Sequence, residues 1–210
     1  MRNLKRALSL LLSSTMVLGM LVMGSSAASY TDVTSKENVE AIEVLKAVGV
    51  MTGDENGNFN PNKQVTRAEM AVVMANLLDL KVEDFKGASL PFTDVPEWAV
   101  PYVAACYADG ITAGTSATTF APNSPITREQ MAAILYRYAA YKGYDVSQKA
   151  DLSGYTDAAS ISGYAKDALA WANAQKLITG VTDTTLNPQG SATRAQVATI
   201  LMRLCETVVK

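Results

Sequence analysis

The sequence has no histidine and only two cysteines among 210 residues. Without imidazole, Ser-His-Asp triads and ordinary zinc-protease sites are excluded. Cys106 and Cys205 are too few for the disulfide framework of an exported domain; a single bridge is open to them, but their helical phase favours buried free thiols. A membrane-spanning run is missing as well. The longest apolar stretch, from Ala7 to Met23, is short for about 20 spanning residues and is diluted by Ser9, Ser13, Ser14 and Thr15. Preceded by Arg2, Lys5 and Arg6 and followed by GSSAA, it reads as an export signal over residues 1–28, cut after Ala27 or Ala28. No cysteine follows it, so no lipid anchor is expected, and no membrane span is expected once the signal is removed. Basic charge is scarce too. Three of the 18 Lys+Arg lie in the signal, which leaves 15 against 20 Asp+Glu. That balance argues against nucleic acid or anionic lipid recognised by bulk charge, so any anionic ligand must be held locally.

What the sequence does have is a repeat. VTRAEMAVVMANL from residue 65, ITREQMAAILYRY from 126 and ATRAQVATILMRL from 192 are three versions of one helix. Thr66, Thr127 and Thr193 each stand three residues before Glu69, Gln130 and Gln196, which is the spacing of a capping box. Apolar residues follow at helical spacing: Met70, Val73, Met74, Leu77; Met131, Ile134, Leu135, Tyr138; Val197, Ile200, Leu201, Leu204. Val65 with Met70 and Ile126 with Met131 fit a hydrophobic staple, which Ala192 weakens in the third copy. Upstream, Gly53, Gly114 and Gly180 align, as do Pro61, Pro122 and Pro188. A second amphipathic stretch precedes them in each copy (37–50, 98–111, 164–177). Gly49 and Gly110 fall where a left-handed C-terminal cap belongs, and Lys176 takes that place in the third copy. Each unit opens YTD, FTD or YTD, which brings Asp32, Asp94 and Asp157 into register.

Helices of about 12 residues are marginal alone, so each unit must bury its stripe against its neighbours. The expected fold is all-α: three helix-loop-helix repeats (29–80, 92–141, 155–207) forming a pseudo-threefold bundle. The three capped helices make its core, with their N-termini around the axis and the first helices outside. The polar segments 81–91 and 142–154 should cross the surface as linkers.

In every copy the first helical residue is arginine: Arg67, Arg128, Arg194. A cation there opposes the helix dipole by about 0.3–1 kcal/mol. Two explanations stand at this level. Each Arg could pair with the Asp of its own repeat, Asp32, Asp94 or Asp157, and tie two helices together. Alternatively, the guanidinium and the open helix N–H groups could hold a carboxylate or phosphate that offsets the penalty.

These residues resemble the S-layer homology (SLH) domain. Its marks are an aromatic-x-Asp start, Trp-Ala at the first helix, a Gly-x-Phe-x-Pro loop and Thr-Arg-Ala-Glu at the second helix, normally in three copies. The chain shows YTDV with TRAE, then FTDV with Trp98-Ala99 and TREQ, then YTDA with Tyr164-Ala165 and TRAQ. The resemblance implies a non-catalytic module that binds secondary cell wall polysaccharide, often bearing ketal-linked pyruvate, and holds exported proteins on the bacterial envelope. It also implies that Arg67, Arg128, Arg194, Asp32, Asp94 and Asp157 line grooves between neighbouring repeats. Gly53, Gly114 and Gly180 would allow close backbone approach, and Trp98 would contribute to sugar contact, although at its helical phase a core position is the commoner fate of a Trp. Glu37 stands where the other copies have Trp98 and Tyr164, so unequal grooves are expected, with the second strongest.

GDENGNF (53–59) loosely resembles a calcium loop, but Gly57 is at the wrong offset for an EF-hand and the matching loops lack its oxygens. A turn is expected, with no metal and no cofactor. Besides a wall anchor, the repeats suit a self-associating subunit of a surface layer, since they fill the sequence. A wall-cleaving enzyme finds no acidic pair to serve it, because Glu37, Glu40 and Glu43 read as a solvated helix face.

Overall fold

A computed structural model describes residues 30–208; the export signal lies outside the described residues, as does the side chain of Glu37. Among the described residues six α-helices follow in order: α1 (Lys36–Ala47), α2 (Arg67–Leu78), α3 (Val100–Ala108), α4 (Arg128–Tyr141), α5 (Lys166–Ala174) and α6 (Arg194–Thr207). Among the described residues there is no strand, only three isolated antiparallel bridges, so the fold is all-α as expected. No helix among the described residues is long and apolar enough to cross a membrane.

The capping boxes form in all three copies. Thr66 Oγ1 accepts from the Glu69 N–H at 3.2 Å while Glu69 Oε2 accepts from the Thr66 N–H at 2.9 Å, and Thr127/Gln130 and Thr193/Gln196 repeat the exchange. At the far ends of the first helices, Gly49 and Gly110 sit at φ +73° and +68°. Lys176 adopts +57° in the third copy, where a β-carbon costs about 1–2 kcal/mol.

The helices pair across repeat boundaries. α3 packs on α2, α5 packs on α4, and α1 closes the ring on α6. Each first helix therefore covers the capped helix of the preceding repeat. The stripes of the capped helices (Met70, Met74, Leu77; Met131, Leu135, Tyr138; Val197, Leu201, Leu204) belong to one core and are almost fully buried. Each such side chain stabilises by about 1.5–3 kcal/mol.

On the axis the chain makes a closed triangle of hydrogen bonds. Val65 N–H donates to Ala192 O at 3.0 Å, Ala192 N–H to Ile126 O at 3.0 Å, and Ile126 N–H to Val65 O at 2.8 Å. The residue before each capping Thr thus fixes three helix N-termini around one point.

The second linker is more than a surface strap. Its Asp145 carbonyl accepts the buried Trp171 indole N–H at 3.3 Å, Tyr144 packs 6.2 Å from Tyr138, and Ala150 N–H donates to Ala170 O. The polar composition of 142–154 conceals these attachments because backbone atoms make most of them.

Candidate functional site between the repeats

The arginines at the helix starts donate into the loop of the following repeat. Arg67 Nε donates to Phe120 O and Nη2 to Ala113 O, both at 2.7 Å. Arg128 gives Nε to Leu186 O at 3.0 Å and Nη2 to Thr179 O. Arg194 crosses the chain closure to Phe59 O and Thr52 O, both at 2.7 Å. Charge-assisted bonds to carbonyls, twice per arginine, thus offset the dipole penalty. Arg67 and Arg128 are 6% exposed, whereas Arg194 is half-buried. Arg67 stacks over Phe120 at 4.6 Å and Arg194 over Phe59 at 4.5 Å; the third repeat offers Leu186 at that place. Burial lowers the pKa of all three guanidinium groups.

Two expectations change here. The arginine does not pair with the aspartate of its own repeat. Asp94 instead accepts the N–H groups of Phe120 and Ala121, both at 2.8 Å; Asp157 accepts those of Leu186 and Asn187, and Asp32 those of Phe59 and Asn60. Asp and the preceding repeat's Arg therefore clamp the same loop residue, one at its N–H and the other at its carbonyl. The bond from Phe120 N–H, with Arg67 adding a smaller effect, lowers the Asp94 pKa; Leu186 N–H and Arg128 do the same for Asp157.

Nor are the helix N–H groups open to an anion. Arg67 and Ala68 N–H donate to Ser124 O and Pro122 O; Arg128 and Glu129 to Gly190 O and Pro188 O; Arg194 and Ala195 to Lys63 O and Pro61 O. The next N–H in each helix goes to the capping Thr. This ring of next-repeat carbonyls satisfies donors that a sequence reading leaves free.

The glycines are required by their own repeats. A β-carbon on Gly53 would fall 2.2 Å from the Tyr30 ring, one on Gly114 2.4 Å from the Phe92 ring, and one on Gly180 2.2 Å from Thr182 O. The close approach they allow is that of the opening aromatic and of loop carbonyls. Trp98, for which burial was the commoner expectation, is 55% exposed, and Tyr164 at the matching place is 56% exposed. Asp54 accepts Asn56 N–H, Asn58 N–H and the Asn60 side-chain amide, so GDENGNF is a self-capped turn. Cys106 and Cys205 are buried free thiols, both pushed up to about 12 by burial.

Clefts open where these parts meet. One, of about 320 Å³, is lined by Arg67, Gly114, Gln130, Arg137 and Tyr164 among others. A second, of about 470 Å³, has Arg128, Gly180, Gln196 and Arg203 at the corresponding places, with Asn38 from the first repeat. Three contributors escaped the sequence reading. Glu129 is 2% exposed and accepts Ser162 N–H at 3.0 Å, Ser162 Oγ at 2.7 Å and Tyr164 Oη at 3.0 Å, which fixes the Tyr164 ring beside the first cleft. Arg137 and Arg203 both stand nine residues after the helix-start arginine. That common offset was the available signal, and the first copy breaks it with Asn76.

Among known proteins, the family model of the S-layer homology domain matches residues 29–71, 91–132 and 154–198. The chain is 35% identical over 203 residues to the surface-layer 125 kDa protein of Lysinibacillus sphaericus, covering 93% of this chain and 16% of that protein. It is 33% identical to an endoglucanase of Bacillus sp. strain KSM-635 over 97% of this chain and 22% of that protein. It is 30% identical to a cellulosome-anchoring protein of Acetivibrio thermocellus over 74% of this chain and 35% of that protein. The chain thus spans about a third or less of the length of these relatives.

Proposed function

Because the chain belongs to the S-layer homology domain family, whose members mediate cell-wall anchoring, we propose that its three repeats are a non-catalytic module gripping anionic secondary cell wall polysaccharide. The recognised group is the carboxylate of ketal-linked pyruvate. The observation that carries this reading is the pair of inter-repeat clefts in which Arg67 and Arg128 stand among walls free of carboxylates. With Nε and Nη2 committed to carbonyls, each guanidinium retains Nη1 for a ligand carboxylate. Arg194 does the same at the third junction. Asp32, Asp94 and Asp157, each already holding two N–H groups, keep acceptor capacity for sugar hydroxyls. Gly53, Gly114 and Gly180 keep the loop backbone bare, and the exposed ring of Trp98 offers a face for a sugar. The protein would act outside the cell, at the wall.

The direct test is cosedimentation of the full chain with protein-free walls before and after mild acid removal of pyruvate ketals. Binding should fall steeply after the treatment; undiminished binding sinks the carboxylate reading. The surface-layer relative in Lysinibacillus sphaericus favours a second reading, a self-associating lattice subunit. Assembly in sedimentation velocity without wall polymer would support that one.

A further inference from the structure

Arg137 on α4 and Arg203 on α6 face the same clefts as Arg67 and Arg128. Both are half-buried, and among the described residues neither makes an ion pair or a side-chain hydrogen bond. Two like charges in a cleft without a carboxylate repel, and the repulsion is strongest where water is partly excluded. Arg137 accordingly contributes to the lowered pKa of Arg67. Nothing in the fold requires the second cation, because the bonds that hold the repeats together use only the arginine at the helix start. At the third junction the same backbone positions carry different groups. Asn76 replaces the second arginine. Glu69 replaces Gln130 or Gln196 and pairs with Lys63 at 2.8 Å.

We infer that the clefts of Arg67–Arg137 and Arg128–Arg203 are dianion sites, each taking a glycan segment with two negative groups, while the Arg194 junction takes one at most. This rests on the anionic-polymer reading above and adds the residues that set charge selectivity. The first cleft is the stronger of the two. Arg203 also borders a depression containing Glu40 and Glu206, which compete for its charge, whereas Arg137 faces the cleft beside Tyr164. A ligand with one anionic group leaves one guanidinium unmatched, so polymers with closely spaced charges are preferred over sparsely charged ones.

The test uses the full chain and purified soluble wall polymer carrying pyruvate ketals, with affinity measured by calorimetry at low and moderate salt. Arg137→Met and Arg203→Met should each weaken binding, the first by about tenfold and the second by less, and both should flatten its salt dependence. Arg137→Lys should recover most of the loss. Glu69→Gln with Asn76→Arg should tighten binding by installing the missing cation. Melting temperatures near wild type establish that these variants remain folded. If the wild type binds and the Met variants match it, or the double variant gains nothing, the dianion assignment fails and the anchor stands. If the wild type itself ignores the polymer, the anchor reading fails and this inference with it.

Discussion

At the first junction Arg67 lies 6% exposed against Phe120, and a second arginine shares its cleft; at the third, Arg194 is half-buried against Phe59, Asn76 stands in the register of the second arginine, and Glu69, paired with Lys63, acts on Arg194. Yet the backbone bonding is the same at both: two arginine donors into the next loop, two helix N–H groups into its carbonyls, one Asp beneath the loop. The difference separates two layers of information in each repeat. Thr, Arg, Asp, Gly and Pro build the junction and are therefore unchanged. The residues that only line the cleft are free to differ, and they set its charge. The third junction carries a further burden, because it links the two ends of the described chain and closes the ring through α1 on α6.

The largest way to break the comparison is to remove the shared arginine. Arg67→Met should destabilise the chain by about 3 kcal/mol, since it strands two carbonyls that now receive charge-assisted bonds. Arg194→Met should cost about half as much, because that site is wetter and water can replace the donors. Thermal unfolding in the absence of glycan reads both, and equal losses would show that burial does not control the arginine's contribution. Next comes Glu129, whose counterparts in the other repeats are Ala68 and Ala195. Glu129→Ala should cost about 2 kcal/mol, because the Ser162 N–H and hydroxyl lose their buried acceptor. The matched Ala68→Glu would meet Pro96 where Glu129 meets Ser162, and proline offers neither an N–H nor a hydroxyl, so that variant should not stabilise.

A smaller, opposite effect is expected at the loop position before the proline. Asn60, Ala121 and Asn187 all sit near φ +55° to +58°. Asn adopts the left-handed region at lower cost than alanine, so Ala121→Asn should stabilise by about 1 kcal/mol. Its melting temperature should rise, and a fall would mean that Asn clashes in the second repeat.

Much of this was open to reading. Capping spacing, apolar period and glycine caps are local properties, so the two helices of each repeat, the capped starts of the second helices and the three-repeat arrangement followed from the sequence. The partners of Arg67, Arg128 and Arg194 did not. The acceptors are backbone carbonyls of the next repeat, and for Arg194 they lie on the far side of a ring closure that sequence distance conceals. The occupied helix N–H groups were missed for the same reason. Trp98 misled in another way: its helical phase suggested the core, but the 3-10 turn over Glu97–Ala99 precedes α3 and changes that phase, leaving Ala99 buried and Trp98 outside.

The finest difference between the junctions is one of titration. Tyr164 donates to Glu129, and burial together with that carboxylate raises its phenol to about 12 from an ordinary value near 10. A raised folded-state value means that the folded chain favours the protonated phenol. The resulting stability is complete below the unfolded pKa and is lost as pH climbs from about 10 to about 12. The ring is more than half exposed, so water and salt damp the effect and the loss should be modest. Tyr138, Cys106 and Cys205 also have raised values and titrate in or beyond this range, so total alkaline unfolding says little about one residue. The useful quantity is the difference between wild type and Tyr164→Phe, in which shared titrations cancel. Chemical unfolding at pH 9 and pH 11.5 should show the wild type losing more stability than the variant over that interval, because only the wild type must ionise a phenol beside Glu129. Equal losses would mean that the phenol is not held against the carboxylate, and the first cleft would then lack the fixed aromatic wall that sets it apart from the second.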